Sequence, residues 1–137
     1  MSGPFRHQLR VRYNECDPQG VVFNANYLTY IDLTITELWR ELGGYQAMVD
    51  AGVDMVVAEA RIRYRAALRF DDEFEVSAAI ARLGDTSMQT DVVLARDGDT
   101  VAEAELRHVF VESVGGAKAP IPEGIRSGLE RYAADPG

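Results

Sequence analysis

The chain has 137 residues, of which 47% are hydrophobic, enough for one compact core without covalent staples. It carries 22 acidic against 14 basic side chains, a net charge of -8, which argues against a protein whose main task is binding nucleic acid or anionic lipid. The lone Cys16 excludes an intrachain disulfide, the distant His7 and His108 leave little for a structural zinc site, and no window reaches the roughly 18 apolar residues of a membrane span.

In residues 8–13, Leu9, Val11 and Tyr13 alternate with Gln8, Arg10 and Arg12, the period of a half-buried strand. Asp17-Pro18-Gln19-Gly20 then reads as a tight turn, because proline presets φ at its second position and glycine tolerates the exit conformation. Over residues 27–42, Leu28, Ile31, Ile35, Leu38 and Leu42 recur at spacings of three and four, and Tyr27, Tyr30 and Trp39 widen the stripe into one long amphipathic helix. Asn24 or Asn26 is placed to cap that helix and Gly43-Gly44 to end it, with a short helical piece at 45–50.

Four more strands are expected at 55–68, 73–83, 87–96 and 100–113. Asp97-Gly98-Asp99 and Gly84-Asp85 supply hairpin turns, and Phe70, in the polar corner 69–72, is expected to point back into the core. A short C-terminal helix at 122–132 would put Ile125, Leu129 and Tyr132 on one side. The class is α+β: a single domain over residues 1–137 in which a helix about 24 Å long covers one face of a five-stranded antiparallel sheet. The second strand presents Arg61, Arg63 and Arg65 on one face and Ile62, Tyr64 and Ala66 on the other, a long edge that pairing with a second copy would cover.

The ordinary reading of Asp17 is a turn opener bonded to nearby N–H groups. Its turn nevertheless leads within a few residues to the helix start, where unpaired N–H groups and the positive dipole end collect, so a carboxylate and oxyanion donors would share one short segment. Asp32 and Glu37 fit a polar helix face, and Glu59 fits an ion pair with a neighbour such as Arg61. Cys16, with no histidine near it in sequence, fits a packed thiol. His108 shares a strand face with Leu106 and Phe110 and is expected in the core with its ring nitrogens bonded, while His7 is expected at the surface.

The run from Arg12 to Tyr27, with its D-P-x-G-V-V-x-x-x-x-Y string entering an amphipathic helix, resembles the 4-hydroxybenzoyl-CoA thioesterase family of hot-dog proteins, and the likeness extends over nearly the whole chain. The resemblance implies a sheet in the order first, third, fourth, fifth, second strand, wrapped around the helix. It implies a homodimer joined through the second strands, and pairing of dimers into a homotetramer. It also implies hydrolysis of an acyl thioester, carried by coenzyme A or by an acyl carrier protein, without a cofactor and with no nucleic-acid or membrane partner. Asp17 falls on the family's catalytic aspartate, nucleophile or base for water, and the backbone N–H of Asn24 on its oxyanion donor. Many members have His or Tyr where Asn24 stands, so no role of such a side chain is implied here. Val22, Phe23 and Tyr27 fall on the acyl-pocket wall. Arg82, in Ala81-Arg82-Leu83, falls near a basic run that binds coenzyme A phosphates in a relative, with Arg61, Arg63 and Arg65 as alternatives. The first residues have no apolar stretch of a secretory signal, so a cytoplasmic location is expected. Two other readings stand beside this one. A non-catalytic hot-dog module that binds acyl-CoA or acts as a scaffold would not need Asp17, and a hot-dog dehydratase or hydratase would call for a histidine near the helix start, where Asn24 and Asn26 stand.

Overall fold

The computed structural model describes residues 3–134. Strand β1 (Phe5–Arg10) leads through a single tight helical turn (Tyr13–Glu15) to helix α1 (Asn26–Glu41) and short helix α2 (Tyr45–Asp50). Strands β2 (Val53–Tyr64), β3 (Glu73–Leu83), β4 (Ser87–Arg96) and β5 (Asp99–Glu112) follow, and α3 (Glu123–Glu130) comes last. The sheet order is β1-β3-β4-β5-β2, antiparallel throughout.

Period-2 patterning decides which face meets the helix. Phe74, Val76, Ala78 and Ile80 on β3, Met88, Val92 and Leu94 on β4, and Leu106 and Phe110 on β5 are all buried. Against them α1 buries Tyr27, Tyr30, Ile31, Ile35, Leu38 and Trp39, the stripe that its three-and-four spacing dictates. Each such side chain contributes roughly 1.5–3 kcal/mol of burial, which is why one amphipathic helix suffices to hold the sheet. The β4–β5 hairpin turns through Asp97 (φ 54°) and Gly98 (φ 83°), the paired left-handed residues whose twist matches that of the strands.

The two sheet edges are treated differently. Pairing with β1 stops at Phe5 opposite Ala78, leaving the upper half of β3 open. Segment 132–134 fills that gap: the Ile80 N–H donates to the Tyr132 carbonyl (2.7 Å) and the Ala134 N–H to the Ile80 carbonyl (2.8 Å). The helix α3 before it packs Ile125 and Leu129 inward. At the other edge β2 stays bare, exposed from Val56 to Arg61. Among the described residues no helix is long and apolar enough to cross a membrane.

Several expectations need correction. β1 starts earlier, so its inward residues are Phe5, His7 and Leu9, and His7 is half-buried rather than on the surface. The strand ends because the N–H and C=O of Val11 are taken by Asp72 and Asp71. Tyr13 is therefore 79% exposed, and Phe70, at 55%, packs edge to face against it (5.6 Å) outside the core. β2 ends at Tyr64 because the N–H groups of Arg65 and Ala66 both reach the Val101 carbonyl and turn the chain away. The two short helices fall where they are expected, α2 on 45–50 and α3 within 122–132.

Candidate active site

Three short-range bonds shape the corner between β1 and α1. The Gly20 N–H closes the turn on the Asp17 carbonyl (2.9 Å), with Gly20 at φ 81°. The Asp17 N–H donates to the Val21 carbonyl (2.9 Å), and the Gln19 N–H donates to Asp17 Oδ1 (2.8 Å). The half-buried carboxylate is thus oriented by one oxygen, and among the described residues Oδ2 has no hydrogen-bond partner. From the turn the chain is stitched inward by bridges between Cys16 and Val22 and between Val21 and Arg69, and by the Val22 N–H donating to the Leu68 carbonyl (2.8 Å).

The helix start lies just beyond. Neither asparagine caps it: the N-cap position is Ala25, already in helical conformation, because the N–H groups of Asn26 and Tyr27 close early turns on the Phe23 and Asn24 carbonyls. The Asn26 side chain instead donates to the Glu15 carbonyl (2.9 Å), and the Asn24 carbonyl accepts the Tyr64 hydroxyl (3.2 Å). Among the described residues the N–H groups of Asn24 and Ala25 have no acceptor, so unpaired donors stand at the positive end of α1. A carboxylate with one free oxygen and a pair of free N–H groups is the minimum set for attack on a carbonyl whose oxygen gains charge.

Beside these groups is a partly buried polar layer. Glu15 Oε1 accepts the Arg12 N–H (2.7 Å) and the Tyr30 hydroxyl (2.9 Å). Burial, and then the bond to Glu15, push the Tyr30 phenol upward, so it remains a neutral donor. Tyr27, raised by burial, accepts the Leu68 N–H at its hydroxyl (3.1 Å) and meets Tyr64 edge to face at 5.2 Å.

The structure gathers Asp17, Val22, Phe23, Asn24 and Tyr27 into this corner. Phe23, half exposed, presents a free face, whereas Val22 and Tyr27 are buried behind it. Arg82 is not part of the cluster: it is exposed near the far end of β3, about 30 Å along the strand from the end that adjoins the turn. Glu37 pairs with Arg40 (3.1 Å), and Asp32 rims a cleft of about 370 Å³ lined by Ile35, Trp39, Tyr45, Met48 and Met55. Glu59 faces Arg107 across the β2–β5 ladder, and among the described residues it makes no ion pair. Cys16 is half-buried, its Sγ near the Arg12 carbonyl (3.9 Å). His108 is in the core as expected, but its Nδ1 has no partner there, because its cross-strand neighbours Val57 and Met88 bring no polar side-chain atom that pairs with it. Among the described residues no cluster of three His, Cys, Asp or Glu side chains is arranged to hold a metal. Sequence reasoning missed the part that Glu15, Asn26 and Tyr64 play in this corner, and no local motif flags Glu15, since Arg12 has no acceptor with which to complete a capping box.

A family model described as the thioesterase-like superfamily matches residues 11–129. The acyl-CoA thioester hydrolase YbgC of Escherichia coli is 29% identical over 123 residues, which cover 88% of this chain and 92% of that protein. The 1,4-dihydroxy-2-naphthoyl-CoA hydrolase of Thermosynechococcus vestitus is 27% identical over 127 residues, covering 90% and 87%. The solved structure of a gentisyl-coenzyme A thioesterase superposes with a TM-score of 0.81 at 25% identity, over 90% of this chain and 98% of that one.

Proposed function

The chain belongs to the thioesterase-like superfamily, and from that premise we propose that it hydrolyses an acyl-CoA with Asp17 as its catalytic carboxylate and the Asn24 N–H as oxyanion donor. It is a thioesterase of the hot-dog fold. The observation that carries the site assignment is the placement of a carboxylate with a free Oδ2 on the same short segment as the unpaired N–H groups at the start of α1. The thioester carbonyl oxygen takes the Asn24 N–H, and negative charge developing there is met by a preorganised donor and the helix dipole. Asp17 delivers the attack, either by taking a proton from water that adds to the carbonyl carbon, or by bonding to that carbon itself and forming an anhydride that water then opens; in both routes the C–S bond breaks and coenzyme A leaves as thiolate, which takes up a proton. Single turnover in heavy-oxygen water tests for the second route, since label on the Asp17 carboxylate arises only when water opens the anhydride at the aspartyl carbonyl.

The chain acts as one domain in a homodimer through β2, whose exposed run Val56–Arg61 is the open sheet edge. Antiparallel pairing centred on that run sets the start of β2 in one protomer beside the end of β2 in the other, where Tyr64 meets Asn24. The cleft lined by Trp39, Tyr45, Met48 and Met55 would then face the partner's Asp17 corner and receive the acyl group beside Phe23. Pairing of dimers gives a tetramer, and Arg82 serves coenzyme A phosphates at the far end of the carrier. Thiol release across a panel of aliphatic and aromatic acyl-CoAs, with an acyl carrier protein thioester beside them, tests this reading. Turnover of acyl-CoAs is expected; a wild-type protein inert towards every thioester contradicts it.

A further inference from the structure

We propose that Glu15 is the positioning residue that fixes the Asp17 carboxylate relative to the Asn24 N–H, a role that rests on the hydrolase reading above. Glu15 is held at both its side chain and its main chain. Its Oε1 accepts the Arg12 N–H at 2.7 Å and the Tyr30 hydroxyl at 2.9 Å, and Tyr30 is 1% exposed, so the carboxylate is tied to the buried face of α1. Its carbonyl accepts the Phe23 N–H at 3.0 Å and Asn26 Nδ2 at 2.9 Å. The Asn26 N–H in turn donates to the Phe23 carbonyl at 2.9 Å.

The peptide group between Phe23 and Asn24, whose N–H is the unpaired one, is therefore held at its carbonyl by the Asn26 N–H, and the peptide before it is held at the Phe23 N–H by the Glu15 carbonyl. Two residues along the chain from the same Glu15, the Asp17 N–H is fastened to Val21. Carboxylate and donor are thus two arms carried on one post. Both partners of Oε1 present hydrogens, so position 15 requires an oxygen that accepts twice; a glutamine amide oxygen supplies it and an alanine does not.

The test compares E15A, E15Q and Y30F on a thioester that the wild type hydrolyses, with far-UV circular dichroism and light scattering to verify fold and assembly. A shift of about an ångström in a reacting group costs up to ~100-fold, so kcat of E15A is expected to fall about 10–100-fold while KM stays within about twofold. E15Q is expected within about threefold of wild type, and Y30F, which removes one of the two donors, between them. Amide exchange gives a readout that needs no substrate: the Phe23 and Asn26 amides should exchange at least about tenfold faster in E15A but not in E15Q, with β4 and β5 unchanged. If E15A does not fold, Y30F carries the same comparison. Wild-type kcat in E15A, an E15Q as slow as E15A, or unchanged Phe23 exchange in E15A overturns the proposal. A wild type that turns over no thioester defeats the hydrolase reading instead, and the exchange rates still decide whether the clamp exists.

Discussion

Replacing Tyr27 with phenylalanine removes a single oxygen whose partner is fully enclosed. The Leu68 N–H donates to that hydroxyl at 3.1 Å, and Leu68 and Tyr27 are 0% and 3% exposed, so no water can take the vacated place without repacking. A buried donor left unpaired costs about 1–3 kcal/mol, and the ring itself is retained, so no cavity term of consequence adds to it. At about 3 °C per kcal/mol for a chain of this size, the melting temperature should drop by roughly 3–10 °C. Leu68 also accepts the Val22 N–H, so the same loss loosens the segment that backs the Asp17 turn. The assay is urea unfolding of wild type and Y27F at one fixed protein concentration, since any dimer makes stability concentration-dependent. A variant within about 0.5 kcal/mol of wild type refutes the claim that the Leu68 N–H depends on Tyr27.

Two further expectations concern groups outside the corner. Burial holds the His108 imidazole below its ordinary pKa, with the charge of Asp32 opposing, so between the folded value and about 6.5 the unfolded chain binds the extra proton and stability falls as pH drops below neutrality; H108L should flatten that segment of a stability–pH profile, and an unchanged slope counts against burial as the cause. Placing a charge on the bare edge with V57D, at a position 53% exposed in the chain, should shift the protein from dimer towards monomer in light scattering without loss of secondary structure, whereas an unaltered mass excludes β2 as the interface.

How far the sequence anticipated the molecule depended on the range of the interactions involved. Strands β3 and β4 and helix α2 fall on the expected residues because alternation and glycine punctuation are local signals, and α1 lies within one residue of its apolar stripe. The Asp17 turn was legible for the same reason: proline, glycine and a carboxylate bonded to the Gln19 N–H lie within four residues. Tyr13 and Phe70 were misplaced because the alternation continues past Val11 while the ladder does not, and only the distant Asp71 and Asp72 end it. The helix cap failed as an expectation because the asparagine side chains compete with turns already closed by the backbone. Glu15 as a hub, and Tyr64 reaching the Asn24 carbonyl from 40 residues away, could not be read locally at all. Arg82 falls near a basic run that binds coenzyme A phosphates in a relative, but it lies a strand's length from the Asp17 turn within its own chain, so any contact it makes with substrate depends on the length of the carrier or on a partner.

The most direct test of the account is the rate of thiol release from acyl-CoA by Asp17→Asn beside wild type. The amide is nearly isosteric and can still accept the Gln19 N–H, so fold and assembly should be unchanged, while an amide can act neither as base nor as carboxylate nucleophile. The account predicts a kcat lower by at least about a hundredfold with intact oligomer and circular dichroism. A variant that turns over at the wild-type rate would remove Asp17 from the chemistry and require another residue to carry it.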